Sequence, residues 1–384
     1  MEHIDLMENL MTLQFEHGIQ KDEAPWLFLQ SRSRGLMIQA CAHAVFFCRL
    51  LRALRKMGGS TKVSMVPSEE EEEDPYRKPT KRDLKVGIIG GGRLGRQLAL
   101  VLLDKASITP PSLHISTRRP ETLIDLQRMG IRCFYHNCFL VDWANVVFLC
   151  CLPSQLPNIC LEISTKLEKS CIVYSLVTAV PLLRLKQLLC HTAILRPQYQ
   201  CAENYIDIWG SNEDIKTALQ DHEIVQATSP YSTDGGITLN IKWLEAVFYA
   251  ALNTCTIREM PYGDVLKALS DLCLSVHMPT CGKKTGCPRI VVTDFVNQAF
   301  AKTLSSSNVF PWFDLITVQL KETPFSQHLK KMILFMLLFL TLIRLYFLFC
   351  PGKSCFNELF FLSSLCLFKI KKSHFAKYKM FIFK

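Results

Sequence analysis

Val86-Gly87-Ile88-Ile89-Gly90-Gly91-Gly92-Arg93-Leu94-Gly95 decides how this chain of 384 residues is read. Val86 to Ile89 is an apolar run of the kind that a strand covered on both faces requires. Arg93 to Lys105 opens on helix formers and carries an apolar stripe. Between them, Gly90, Gly92 and Gly95 satisfy G-x-G-x-x-G in the strand–turn–helix setting that gives the string its meaning. The spacing predicts a task for each glycine. Gly90 makes the tight turn, Gly92 lets main-chain N–H groups approach a diphosphate, and Gly95 lets the helix lie close on the strand. The helix N-terminus, with Arg93 and Leu94 in its first turn, then aims partial positive charge at the phosphates.

Outward from this loop the texture repeats. Leu113–Thr117, Val146–Cys151 and Cys171–Leu176 read as strands, with Glu121–Met129, Leu156–Leu167 and Leu182–Cys190 as helices between and after them. Strands alternating with helices predict an α/β fold: a Rossmann-type, doubly wound parallel sheet over residues 85–208. A smaller, mainly helical domain is expected over 209–326. Its helices are Gly236–Arg258, Tyr262–His277 and Arg289–Leu304, broken by Pro261, Pro279 and Pro288. Residues 1–84 are expected to be a helical extension, with a packing face around Ala40–Leu54, and an acidic linker at Glu69–Asp74 too charged to bury.

The end of the second strand selects the nucleotide. Leu113-His114-Ile115-Ser116-Thr117-Arg118-Arg119-Pro120 holds no carboxylate, although Asp or Glu is what reads a free ribose 2′-hydroxyl at this place. Ser116, Thr117, Arg118 and Arg119 instead suit a 2′-phosphate, which arginine can grip bidentately. NADP(H) is therefore expected rather than NAD(H). Cys151, Leu152 and Pro153 end the fourth strand at the carboxyl edge and are expected beside the pyrophosphate and the nicotinamide ribose. Cys150 and Cys151 have no neighbour to depress a thiol pKa and read as packing. Ser175 and Thr178 reach the same edge from the fifth strand.

These residues resemble the pyrroline-5-carboxylate reductase family and its relatives, the deazaflavin-dependent NADP reductases. The resemblance runs for about 110 residues, from Val86 to Leu195. It rests on the glycine loop, on Leu126-Gln127-Arg128-Met129-Gly130-Ile131 with the following Asn137, on Val147-Phe148-Leu149 leading into Leu152-Pro153, and on Ile172-Val173-Tyr174-Ser175. It implies an NADP-binding domain followed by helices that pair two copies, a small-molecule substrate held between them, and reduction of a C=N or C=O bond, with L-proline formation as the nearest precedent. The second half departs from that pattern. Arg196-Pro197-Gln198 stands for the family's Met-Pro-Asn and Leu152-Pro153 for its Lys-Pro. Ser232-Thr233-Asp234-Gly235-Gly236 is an echo, too early in the chain, of its substrate-capping Ser-Pro-Gly-Gly loop. No catalytic residue is assigned; His191, Tyr231 and Asp234 are available near the expected cleft, each with a structural explanation of its own. A rival reading keeps the cofactor and drops the turnover: an NADP(H)-binding sensor or scaffold.

Charge and cysteine narrow the partners. The formal net charge is +10, yet residues 327–384 carry ten Lys or Arg against Glu358 alone and so supply +9, leaving the body nearly neutral. Nucleic-acid binding needs a clustered basic face and is excluded on that ground. Met332–Cys350 is long enough to span a bilayer. Its 13 Leu, Ile or Phe favour insertion by roughly 4 to 8 kcal/mol, against about 2.5 to 3.5 for Arg344, so membrane contact through the tail is an open expectation. Acids at Glu2 and Asp5 sit where a targeting leader places positive charge, and the 17 cysteines form no Cys-x-x-Cys. A cytoplasmic protein with reduced thiols follows. His277, Cys281 and Cys287 fit no zinc spacing, and no metal is expected.

Overall fold

Short buried strands alternating with helices build the central sheet of the protein. The computed structural model describes residues 27–57, 79–80, 83–202, 208–209, 214–229, 232–274, 290–305 and 307–331. After α1 (Leu27–Met57) comes the alternation β1 (Val86–Ile89), α2 (Arg93–Lys105), β2 (Leu113–Ser116), α3 (Ile124–Arg128), β3 (Arg132–Phe134), α4 (Asn137–Trp143), β4 (Val146–Leu149), α5 (Leu156–Ile163), β5 (Ile172–Ser175), α6 (Leu182–Leu189) and β6 (Ile194–Leu195). Among the described residues these strands form one six-stranded parallel sheet in the order β3-β2-β1-β4-β5-β6, a Rossmann-like arrangement. Every residue of β1, β2, β4 and β5 is buried, which explains why β1 and β4 are unbroken apolar runs and why β2 and β5 admit only a few polar side chains.

The rest is mainly helical. β7 (Tyr199–Cys201), α7 (Ile215–Ala218), α8 (His222–Ala227) and β8 (Ile237–Leu239) lead into α9 (Lys242–Ile257) and α10 (Tyr262–Leu274). Then come α11 (Gln298–Ala301), α12 (Leu315–Leu320) and α13 (Pro324–Lys331). Two expected helices change shape. The one read from Gly236 begins at Lys242, because Gly235 and Gly236 sit at positive φ and Ile237–Leu239 pairs antiparallel with Tyr199–Cys201. Arg289–Leu304 is not a continuous helix. Val291, Val292 and Thr293 are β-branched, Asp294 accepts from the Val291 N–H to close a single turn, and Asn297 starts a separate helix by accepting from the Phe300 N–H. Tyr262–Leu274 is helical as read, while Tyr231, the His277–Cys287 set and the tail from Met332 lie outside the described residues.

Helix α1 is built into the core. It packs on α2, α7, α9 and α10, and Ile38, Cys41, Val45, Phe47 and Leu51 are fully buried. Gln39 donates to the carbonyls of Ala227 and Ile237, and Arg34 donates through Nε to the Trp209 carbonyl. Leu29–Met57 is long and apolar enough to cross a membrane by composition, yet most of it is enclosed by the protein. The opposite face of the sheet is covered by α4, α5 and α6.

Candidate functional site

The strand order reverses between β1 and β4, so the loops leaving their carboxyl ends diverge and open a crevice. Gly90 turns the chain there at φ +110°, its N–H donating to the Ser116 carbonyl at 2.8 Å. A Cβ on Gly90 would lie 2.8 Å from the Cys150 carbonyl carbon, and one on Gly95 would lie 1.9 Å from the Gly90 oxygen. The protein itself requires those two glycines. Gly92 is different: a Cβ there would meet no atom of the chain within 4 Å. Gly92 is also the N-cap of α2, no side chain caps the helix, and its first turn holds no acid. The first-turn amides, including those of exposed Arg93 and half-buried Leu94, therefore border an open cradle that any side chain at position 92 would intrude upon.

At the end of β2 the four expected contacts separate. Ser116 is fully buried and its hydroxyl donates to Asn137 Oδ1 at 2.6 Å, with the Tyr135 carbonyl a second acceptor in reach at 3.1 Å, so it fastens the β3–α4 turn and does not face the crevice. Strand alternation turns its neighbour the other way. Thr117 lies against the glycine loop, its Cβ and Oγ1 within 3.0 and 3.1 Å of where a Gly91 Cβ would be. Arg118 and Arg119 are exposed and form no ion pair among the described residues, whereas the nearby Asp125 carboxylate is bound by Arg96 at 2.6 Å. Neither guanidinium is engaged by a carboxylate among the described residues, although Glu121 follows closely in the chain.

From β4, the Cys150 N–H donates to the Ile89 carbonyl and sets its loop against Gly90. Cys151 is half-buried, while Leu152 and Pro153 are exposed beside it. Burial pushes the Cys151 thiol up to about 11 and raises Cys150 well above its ordinary value, so both stay protonated near neutral pH. Ser175 is buried and Thr178 exposed at the ends of the neighbouring strand. His191 belongs elsewhere: its Nε2 bonds the carbonyl of Cys171, at the amino end of β5. Asp234 opens the turn before β8, and Gly235 of that turn packs on Trp209. Among the described residues no group of His, Cys, Asp or Glu could hold a metal ion.

Residues 85–178 match the family described as NADP oxidoreductase, coenzyme F420-dependent. A mouse (Mus musculus) protein named NADP-dependent oxidoreductase domain-containing protein 1 is 50% identical over 328 residues, covering 85% of this chain and 89% of its own length. Pyrroline-5-carboxylate reductase 3 of Xenopus laevis is 30% identical over 99 residues, 26% of this chain and 36% of that protein. A solved pyrroline-5-carboxylate reductase from Coxiella burnetii is 15% identical, covers 72% of this chain and 98% of that one, and superposes with a TM-score of 0.28, too loosely to add to the strand order.

Proposed function

Since the chain belongs to the family of NADP-dependent oxidoreductase domain-containing protein 1, we propose that it is an NADP(H)-dependent oxidoreductase reducing a C=N or C=O bond of a small molecule. Reduction of pyrroline-5-carboxylate is the nearest precedent. The observation that carries the reading is the open space at Gly92, bordered by the uncapped start of α2, with two arginines nearby in sequence that form no ion pair among the described residues. The first-turn amides would hold the diphosphate, Thr117 with Arg118 and Arg119 the 2′-phosphate, and the Cys151–Pro153 loop the nicotinamide half. Bound there, the nicotinamide supplies the hydride, and the chain supplies binding, orientation and shelter from water. The protonated thiols of Cys150 and Cys151 suit a reaction that needs no thiolate. Pairing of two copies through the helical half is part of the same proposal.

Calorimetric titration of NADPH and NADH tests the cofactor. Exchanging both Arg118 and Arg119 for Ala removes charge-assisted bonds of about 1.5 to 3 kcal/mol each, so NADPH should weaken at least tenfold and NADH little. Equal losses would sink the 2′-phosphate assignment, and no heat from either nucleotide would sink the whole reading. Turnover is followed by NADPH absorbance over a panel of cyclic imines and small carbonyl compounds. Tight NADPH binding with no turnover on any of them would favour the rival sensor or scaffold.

A further inference from the structure

Two polar atoms at the carboxyl ends of neighbouring strands are buried without a hydrogen-bond partner among the described residues. They are Ser175 Oγ, at the end of β5, and Arg196 Nε, just past β6. β5 and β6 pair Val173 with Ile194 and Tyr174 with Leu195, so the next step of that register sets Ser175 beside Arg196. Alternation along both strands puts the two side chains on one face of the sheet. Leaving buried groups like these unsatisfied costs about 1 to 3 kcal/mol each, so a ligand that satisfies them is strongly favoured.

Arg196 is held firmly yet lacks a counter-ion. Its main-chain N–H donates to Gln319 Oε1 at 3.0 Å, and one Nη donates to the carbonyl of Thr178 in the loop after β5. Gln319 in turn donates to the carbonyls of Ile194 and Leu315, tying the position to α12. No carboxylate pairs with the guanidinium among the described residues. A half-buried cation anchored at one corner by a neutral carbonyl keeps most of its five N–H donors for something else. It stands two strands from the β4 loop, about 10 Å along the carboxyl edge. That distance suits a small molecule whose reacting carbon lies over β4 and whose charged end lies over β6.

We propose that Arg196, with Ser175 beneath it, is an anion anchor that takes the carboxylate of the substrate. The planar, forked guanidinium matches a carboxylate bidentately and rejects the uncharged amide of the same molecule. The anchor deepens the oxidoreductase reading by naming a substrate class, and it rests on that reading for its role, although carboxylate binding itself does not. Uncharged imines and ketones would then be poor substrates.

The test uses the full chain and calorimetry or ligand-observed NMR. The probes are acetate, pyruvate and L-proline, each against its own amide, with inorganic phosphate as competitor and NADPH titrated in parallel. At least one carboxylate should bind about tenfold or more tightly than its amide, the worth of one charge-assisted bond. Arg196→Met should erase the preference while leaving NADPH affinity unchanged, and Arg196→Lys should keep part of it, which also controls for misfolding. The anchor is overturned if no carboxylate is preferred, if Arg196→Met retains the preference, or if phosphate competes more tightly than every carboxylate. Carboxylate preference without NADPH binding would leave the anchor standing and remove the oxidoreductase.

Discussion

Gly92 and Gly95 look alike in the motif and differ in what forbids a side chain. At Gly95 the obstacle is the Gly90 carbonyl at 1.9 Å, so Gly95→Ala must push α2 off β1. An overpacked core contact of this kind costs about 1 to 3 kcal/mol or more, and chemical denaturation should report it. At Gly92 the chain offers no obstacle and φ is −74°, so Gly92→Ala should cost under about 1 kcal/mol. NADPH affinity should nonetheless fall at least tenfold, because the methyl group enters the space assigned to the diphosphate. His43 offers a separate test. Nε2 bonds the Thr228 carbonyl, which can only accept, so Nε2 carries the proton and Nδ1 accepts from the Tyr199 hydroxyl at 3.0 Å. Burial lowers this imidazole to about 4. A base whose folded pKa is depressed contributes stability above the unfolded value of about 6.5, lost progressively as pH falls toward 4. Melting temperature should therefore drop over that window by more in the native protein than in His43→Gln, with a difference worth about 3 kcal/mol at most. A parallel pH profile would contradict a neutral buried His43. The turn at Gly90 and the close approach at Gly95 were legible at this scale because both tasks are local. Ser116 was misread for a related reason. Ser116 and Thr117 cannot both face the crevice, and what turns Ser116 inward is Asn137, whose contact is set by folding and not by spacing.

Between elements, one buried charge joins the helices of the second half. Glu245 on α9 is 1% exposed, and its Oε2 accepts from Lys242 Nζ at 2.8 Å, Ser326 Oγ at 2.6 Å and Thr323 Oγ1 at 3.1 Å, so α9 holds the start of α13. Removing the cation leaves the carboxylate enclosed with two hydroxyls. Lys242→Met should cost about 3 kcal/mol in chemical denaturation, and adding Glu245→Gln should restore part of it. A loss no larger than a surface substitution gives would show that the pair is better hydrated than its burial implies. β1, α2, β2, α3, β4, α5, β5 and α6 could be read from the chain by their buried runs and helical stripes, whereas β3, which opens on exposed Arg132, and the seven-residue α4 could not. Arg289–Leu304 could not, since its apolar spacing allows a helix while Asp294 and Asn297 spend their side chains on backbone N–H groups and break it into turns. Arg196 was legible only as a departure from a motif. The role proposed for it rests on Ser175, whose Oγ has no partner among the described residues.

For the molecule as a whole, α1 (Leu27–Met57) is indispensable. Its buried face closes over α2 and α9, and the main core cluster includes residues from all three. A chain starting at residue 79 would bare that surface on both halves. Such a chain should be insoluble or lose its cooperative melting transition, whereas one lacking only residues 1–26 should melt as the full protein does. A soluble, cooperatively folding chain from 79 onward would show α1 to be an accessory. The acidic stretch between α1 and β1 hid this in the sequence, because a charged linker usually separates what it joins.

The same helix sets a problem of timing. On a ribosome adding about 5 to 20 residues per second, Met57 is made roughly 10 to 40 s before Ile257 completes the surface that α1 must cover. For that interval a segment apolar enough to cross a bilayer waits beside the tunnel exit with little but α2 to shelter it. Newborn chains are thus exposed to holdase chaperones, and to the machinery that sorts hydrophobic segments to membranes, before the nucleotide fold is complete.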